Sequence, residues 1–178
     1  QLLPLLSNLL AKRDQWGEGI VAGDTEAMER ALQAHVTAVY SDLCDQLAAF
    51  DVQTLITLVR EQSAHAEQLA WAAQCGDLLP AAPENIAAHA QLAAFILTAG
   101  GKRTLRKSVN KNMGFAPGQP ATNAVKSWLA QSQESPDLTQ LEEALACLSD
   151  LPLPTLPARS RALIADISLV LTHLLAEL

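Results

Sequence analysis

Residues 24–48 read DTEAMERALQAHVTAVYSDLCDQLA, and their spacing decides the fold. Met28, Leu32, Val36, Val39, Leu43 and Leu47 recur at steps of three and four, the period of an α-helix that buries one face. Asp24 or Thr25 stands where an N-cap belongs, because a short polar side chain there can accept from an otherwise unpaired backbone N–H. This is the strongest helical stripe in the chain, and the rest of the sequence repeats its logic.

Downstream, Asp51 caps a second helix whose apolar line is Leu55, Ile56, Val59, Ala66, Leu69 and Ala73, running to Gly76. The short turn around Phe50 predicts that these two helices are antiparallel neighbours. A Pro-bounded loop, 79–83, leads to a helix over 84–99 that Gly100 and Gly101 should stop. Leu105, Val109 and Met113 at four-residue steps allow a short amphipathic helix. After a Gly/Pro-rich loop, 114–120, Val125, Trp128 and Leu129 mark another helix, and Asp137 caps one carrying Leu138, Leu141, Leu145 and Leu148. Pro152, Pro154 and Pro157 make a stiff connector over 152–157, since proline cannot continue a helix and restrains its predecessor. A final helix carries Leu163, Ile164, Ile167, Leu171, Leu174 and Leu175. Upstream, residues 4–13 start with a first-turn proline and carry Leu5, Leu6, Leu9 and Leu10, before Gly17, Gly19 and Gly23 loosen the chain. No period-two run and no hairpin turn signal argues for a strand. The expectation is an all-α fold: one domain over 1–178, an irregular bundle of six to eight helices.

Composition agrees. With 49% hydrophobic and 17% charged residues, a 178-residue chain can bury a core and is neither disordered nor a coiled-coil rod. Cys44, Cys75 and Cys147 are scattered, so they read as buried thiols of a cytoplasmic protein rather than a disulfide framework. No leader pattern opens the sequence, and the apolar stretch 162–178 is interrupted by Asp166, His173 and Glu177, so no membrane span is expected. Because the chain opens on Gln1 rather than Met, it is compatible with a piece of a longer protein.

Net charge is −7, but unevenly distributed. Residues 85–133 contain no Asp or Glu, and Lys102, Arg103, Arg106, Lys107, Lys111 and Lys126 give that stretch +6. The remainder carries six basic and 19 acidic residues, hence −13. Within it, residues 100–112 read GGKRTLRKSVNKN. Two glycines before a helix start leave backbone N–H groups that, with nearby cations, can hold a phosphate. The segment therefore serves to bind a nucleic-acid backbone, to dock an acidic partner, or only to pair with the protein's own acids. A helix-turn-helix with its glycine at Gly100 or Gly101 would place Arg106 or Lys107 in the core, so that template fails. Phe115 and Trp128 are too few for a stacking platform. AGGKRTLR also resembles the GGKR element of isoprenyl diphosphate synthases, but the aspartate-rich metal clusters those enzymes need are missing.

Arg30–His35 and Arg60–His65 both have the RxxxxH spacing and resemble the motif of HEPN-type ribonucleases, which are small helical domains. The resemblance implies that His moves a proton while Arg steadies phosphate charge. A separation of five turns the pair roughly 140° apart on a helix, so a dimer partner would complete the site. His35, His65, His89 and His173 fall on four predicted helices without ligand spacing, so no metal and no cofactor is expected. No serine-nucleophile elbow, P-loop or dinucleotide fingerprint is present. Cys75 near a helix C-terminus is a poor nucleophile. Trp71 faces away from Leu69 and Ala73 and is the tryptophan expected at the surface; Trp16 and Trp128 are expected inside.

The expected function is that of a non-enzymatic adaptor or assembly component with a protein partner, with homo-oligomerisation compatible. The alternatives are nucleic-acid or anionic-ligand binding through Lys102, Arg103, Arg106, Lys107 and Lys111, or a dimeric ribonuclease using Arg30, His35, Arg60 and His65.

Overall fold

A computed structural model of the chain describes residues 25–152, with side chains from Glu29 onward, and beyond them only positions 166 and 169. The expectations for residues 4–13, Trp16, the Asp24 cap, the Met28 side chain, His173, the connector past Pro152 and the final helix lie outside the described residues. Within them the chain is all-α, as its periodicity requires: five α-helices, one long 3₁₀ helix and two single 3₁₀ turns, with no strand. Residues Val36–Leu153 form one compact unit, and the core lies within it.

Helix α1, Thr25–Ala48, turns Val36, Tyr40, Leu43, Cys44 and Leu47 to the core, a line at steps of four and three. Leu32, expected on that line, is 38% exposed, and Val39 is half-buried while Tyr40 is sealed. Asp51 turns the chain with φ 52°, a left-handed conformation that Asp tolerates better than most residues because its short carboxylate finds local donors. Here the donor is the Thr54 hydroxyl at 2.8 Å.

Helix α2, Val52–Ser63, buries Val52, Leu55, Ile56, Val59 and Gln62. The sequence expected it to reach Gly76. It stops at Ser63 instead, Ala66 is extended, and a 3₁₀ helix follows over Glu67–Gln74. Within it Leu69 and Ala72 are buried three residues apart, the 3₁₀ repeat rather than the α one, while Cys75 and Leu78 are buried beyond its end. Ala73, assigned inward on the α reading, is exposed. The loop that passes over this junction needs Gly114. Its φ is +89°, and a Cβ there would lie 2.9 Å from that of Ala66 and 3.0 Å from Leu69 Cγ.

Helix α3, Ile86–Ile96, follows a 3₁₀ turn at Pro83–Asn85. It ends at extended Leu97, three residues before the glycines expected to stop it. Residues 97–110 contain no helix, and only Lys111–Met113 forms a 3₁₀ turn. The expected amphipathic helix around Leu105, Val109 and Met113 is therefore absent. Leu105 and Val109 still enter the core, but from extended backbone. Helix α4, Pro120–Gln133, and helix α5, Leu138–Asp150, appear where Val125–Leu129 and Leu138–Leu148 place them. Helix α4 begins on proline, whose missing N–H is not needed at a first turn. Asp137 precedes α5 without a side-chain capping bond.

The most extensive helix contacts among the described residues are α3 with α5, α2 with the 3₁₀ helix, and α2 with α4. Cys44 and Cys75 are buried as expected, whereas Cys147 is exposed on the outer side of α5. Trp71 is half-buried against Phe95 rather than exposed, and Trp128 is 5% exposed with its indole N–H donating to Asp51 O at 3.1 Å.

Candidate functional site

The basic segment is a short clasped hairpin. Leu97 and Leu105 oppose each other as an isolated antiparallel bridge. Thr98 N–H donates to Thr104 O at 2.8 Å, and Arg106 N–H to Ile96 O at 2.9 Å. The two threonine hydroxyls lie 3.1 Å apart, and Thr104 N–H also donates to Thr98 Oγ1. This clasp closes a tip, Ala99-Gly100-Gly101-Lys102-Arg103. Gly100 has φ +147°, a conformation rarely open to a residue with a Cβ.

The root is held firmly. Leu105 and Val109 are buried, Leu105 N–H donates to Glu142 Oε1 at 2.8 Å, and Gln133 Nε2 donates to Arg106 O at 3.0 Å. The tip is not: among the described residues the backbone N–H groups from Ala99 to Arg103 have no acceptor. No helix follows the glycines, so the helix-start anion cradle expected from Gly100 and Gly101 is not formed.

The five site cations divide into two kinds. Arg103 Nη1 reaches Asp150 Oδ1 and Ser149 Oγ, both at 2.6 Å, and Arg106 Nε donates to Phe95 O at 2.9 Å. Lys102, Lys107 and Lys111 are exposed and pair with no described carboxylate. Two clefts meet at the Arg103–Asp150 pair. One, of about 450 Å³, is lined by Lys102 and Arg103 facing Thr139, Glu142, Glu143 and Asp150. The other, of about 390 Å³, brings Arg103 and Arg106 together beside Gly100, Ser149 and Asp150.

Arg60 and His65 do not line a common depression. Arg30 and His35 lie on α1 with exposed side chains. Arg60 donates to Asp77 Oδ1 at 3.2 Å and to Cys75 O at 3.4 Å. His65, past the end of α2, lines a shallow depression with Glu61, Gln62 and Gln119, of which Arg60 is not part.

A polar network not anticipated from the sequence lies inside. Tyr40 OH is 2.7 Å from His89 Nδ1, and His89 Nε2 is 3.0 Å from Gly76 O. Since a carbonyl only accepts, Nε2 carries the proton and Nδ1 accepts from the tyrosine, the neutral tautomer. Both residues are 0% exposed. Burial lowers the His89 pKa below its usual value, opposed by the bond to Gly76, and raises that of the Tyr40 phenol, with Cys44 adding to the rise. Burial also raises Cys44, and it pushes Cys75 up to about 11 despite nearby Arg60, so both remain thiols at neutral pH. A signal for His89 was present: with Ile86, Ala93 and Ile96 it occupies the buried face of α3.

Among the described residues no three His, Cys, Asp or Glu side chains gather at a metal-binding distance. Nor is any described helix long and apolar enough to cross a membrane. No protein-family model, no curated protein and no solved structure matches the chain.

Proposed function

We propose that this chain is a non-enzymatic interaction module, an adaptor or assembly component of the cytoplasm, which docks an acidic face of a protein partner on its basic hairpin. The observation that carries the reading is the set of Lys102, Lys107 and Lys111: exposed, unpaired with any described carboxylate, and placed at the tip of the hairpin and on the segment that follows it, where Leu105 and Val109 enter the core. Exposed cations without a partner of their own steer a complementary acidic surface toward this segment and set its orientation there.

Nucleic acid is the alternative anion, and local charge argues against it. Glu142, Glu143 and Asp150 line the same cleft as Lys102 and Arg103, so a continuous phosphate backbone there would meet three carboxylates. Phe115 and Trp128 are buried and offer no ring for base stacking. A ribonuclease site would require Arg60 to leave Asp77 and a second copy to supply what Arg60 and His65 do not assemble.

The test compares capture of partners from the native host by the wild-type chain and by Lys102→Glu/Lys107→Glu/Lys111→Glu. Partners held by the first and lost by the second, with capture insensitive to nuclease, are the expected result. Identical partner sets, or capture abolished by nuclease, would overturn the reading.

A further inference from the structure

We infer that the cleft between the hairpin and the C-terminal ends of α3 and α5 is a seat for one carboxylate side chain of the acidic partner, gripped by Arg103 and Arg106. The inference rests on the docking reading above and names the group that reading leaves open.

Arg106 spends its Nε–H on Phe95 O at 2.9 Å, which fixes the guanidinium plane and leaves both terminal amino groups without a protein acceptor among the described residues. Arg103 spends only Nη1, on Ser149 Oγ and Asp150 Oδ1 at 2.6 Å each, and keeps Nε and Nη2. Both side chains line one cleft of about 390 Å³, with Gly100 and its unpaired N–H at the rim. Two guanidinium groups with free N–H donors line one cavity, and forked N–H donors on a carboxylate make strong, directional bonds.

Charge sets the ligand's valence. Within this cleft two guanidinium groups face the single carboxylate of Asp150, so its own lining carries one net positive charge. One incoming carboxylate neutralises it. A phosphate dianion would overshoot and press its second charge against Asp150.

Asp150 therefore competes with the ligand for Arg103, and this competition supplies the test. The probe is N-acetylglutamate amide, titrated into the full chain while the Arg side-chain Nε–H resonances are followed by NMR. Acetate and inorganic phosphate serve as comparison arms. Saturable shifts of Arg103 and Arg106 are expected, with affinity rising several-fold in Asp150→Asn and falling about tenfold or more in Arg106→Lys, which keeps the charge but loses the fork. Thermal melts of both variants show whether the fold persists. Absence of shifts in both wild type and Asp150→Asn overturns the inference, as does tighter binding of phosphate than of the glutamate probe. Acetate alone shifting the same resonances as strongly would overturn the assignment to a peptide side chain. Lys102→Glu/Lys107→Glu/Lys111→Glu keeps both arginines, so a variant that loses the protein partner but still binds the probe separates the two proposals.

Discussion

The Tyr40–His89 network and the hairpin over 97–106 are both polar, and they treat their hydrogen bonds in opposite ways. Inside, no buried side-chain polar atom among the described residues is unsatisfied. At the hairpin, the threonine clasp and the buried leucines complete the architecture, while the tip amides and three lysines face outward without protein partners. The inner network can only be disturbed at the expense of the fold. The outer one can be altered with little structural penalty, which is the property expected of a surface that meets another molecule.

Breaking the inner network has the largest expected effect. His89→Ala leaves the Tyr40 hydroxyl and the Gly76 carbonyl without partners in a sealed site and opens a cavity as well. The expected loss is about 3 kcal/mol or more, read as a fall in denaturation midpoint. If the variant melts with the wild type, the network is not what holds α3 to α1. Next comes Gly114→Ala. A positive φ and a Cβ pressed on Ala66 and Leu69 should cost about 2 kcal/mol, and a neutral result would mean that the α2–3₁₀ junction yields easily.

Acid probes the same network without mutation. Burial places the folded-state pKa of His89 below its unfolded value, so the folded protein prefers the neutral ring. The associated stability is complete above the unfolded value of about 6.5 and disappears as pH falls from there through the folded pKa. Urea melts between neutrality and mild acid should show a decline of up to about 1.4 kcal/mol per pH unit from this one proton, missing in His89→Gln. An equal decline in that variant would assign the effect to other groups. The smallest effect belongs to the hairpin: Asp150→Asn removes an ion pair whose side chains are 40% and 64% exposed. Such a pair contributes about 0.5 kcal/mol or less, and a cost near 2 kcal/mol would show that the hairpin is part of the structural core rather than an appendage.

Helix positions followed from repeated local chemistry. The stripes of α2, α4 and α5 could be read because each apolar residue reports the same face, and errors at one position are corrected by its neighbours. What failed was decided by contacts distant in sequence. Nothing near Ser63 announces that the α-helix gives way to a 3₁₀ helix, in which Leu69 and Ala72 meet the core three residues apart. Leu105 and Val109 are spaced like a helix but are drawn inward from extended chain, because Leu105 answers Leu97 across a turn. In the candidate site, the cations were evident from composition. Their division was not: Asp150 and Ser149, which hold Arg103, lie more than forty residues away in sequence.

Phe95 ties the hairpin to the aromatic packing of the core. Its ring lies between Trp71 at 5.8 Å and Phe115 at 6.2 Å, while its carbonyl accepts the Arg106 Nε–H that aims the guanidinium into the cleft. The orientation of a surface arginine is thus inherited from aromatic packing one layer below. Selectivity for what lands outside can drift through substitutions at Trp71 or Phe115, with every residue that touches the visitor unchanged.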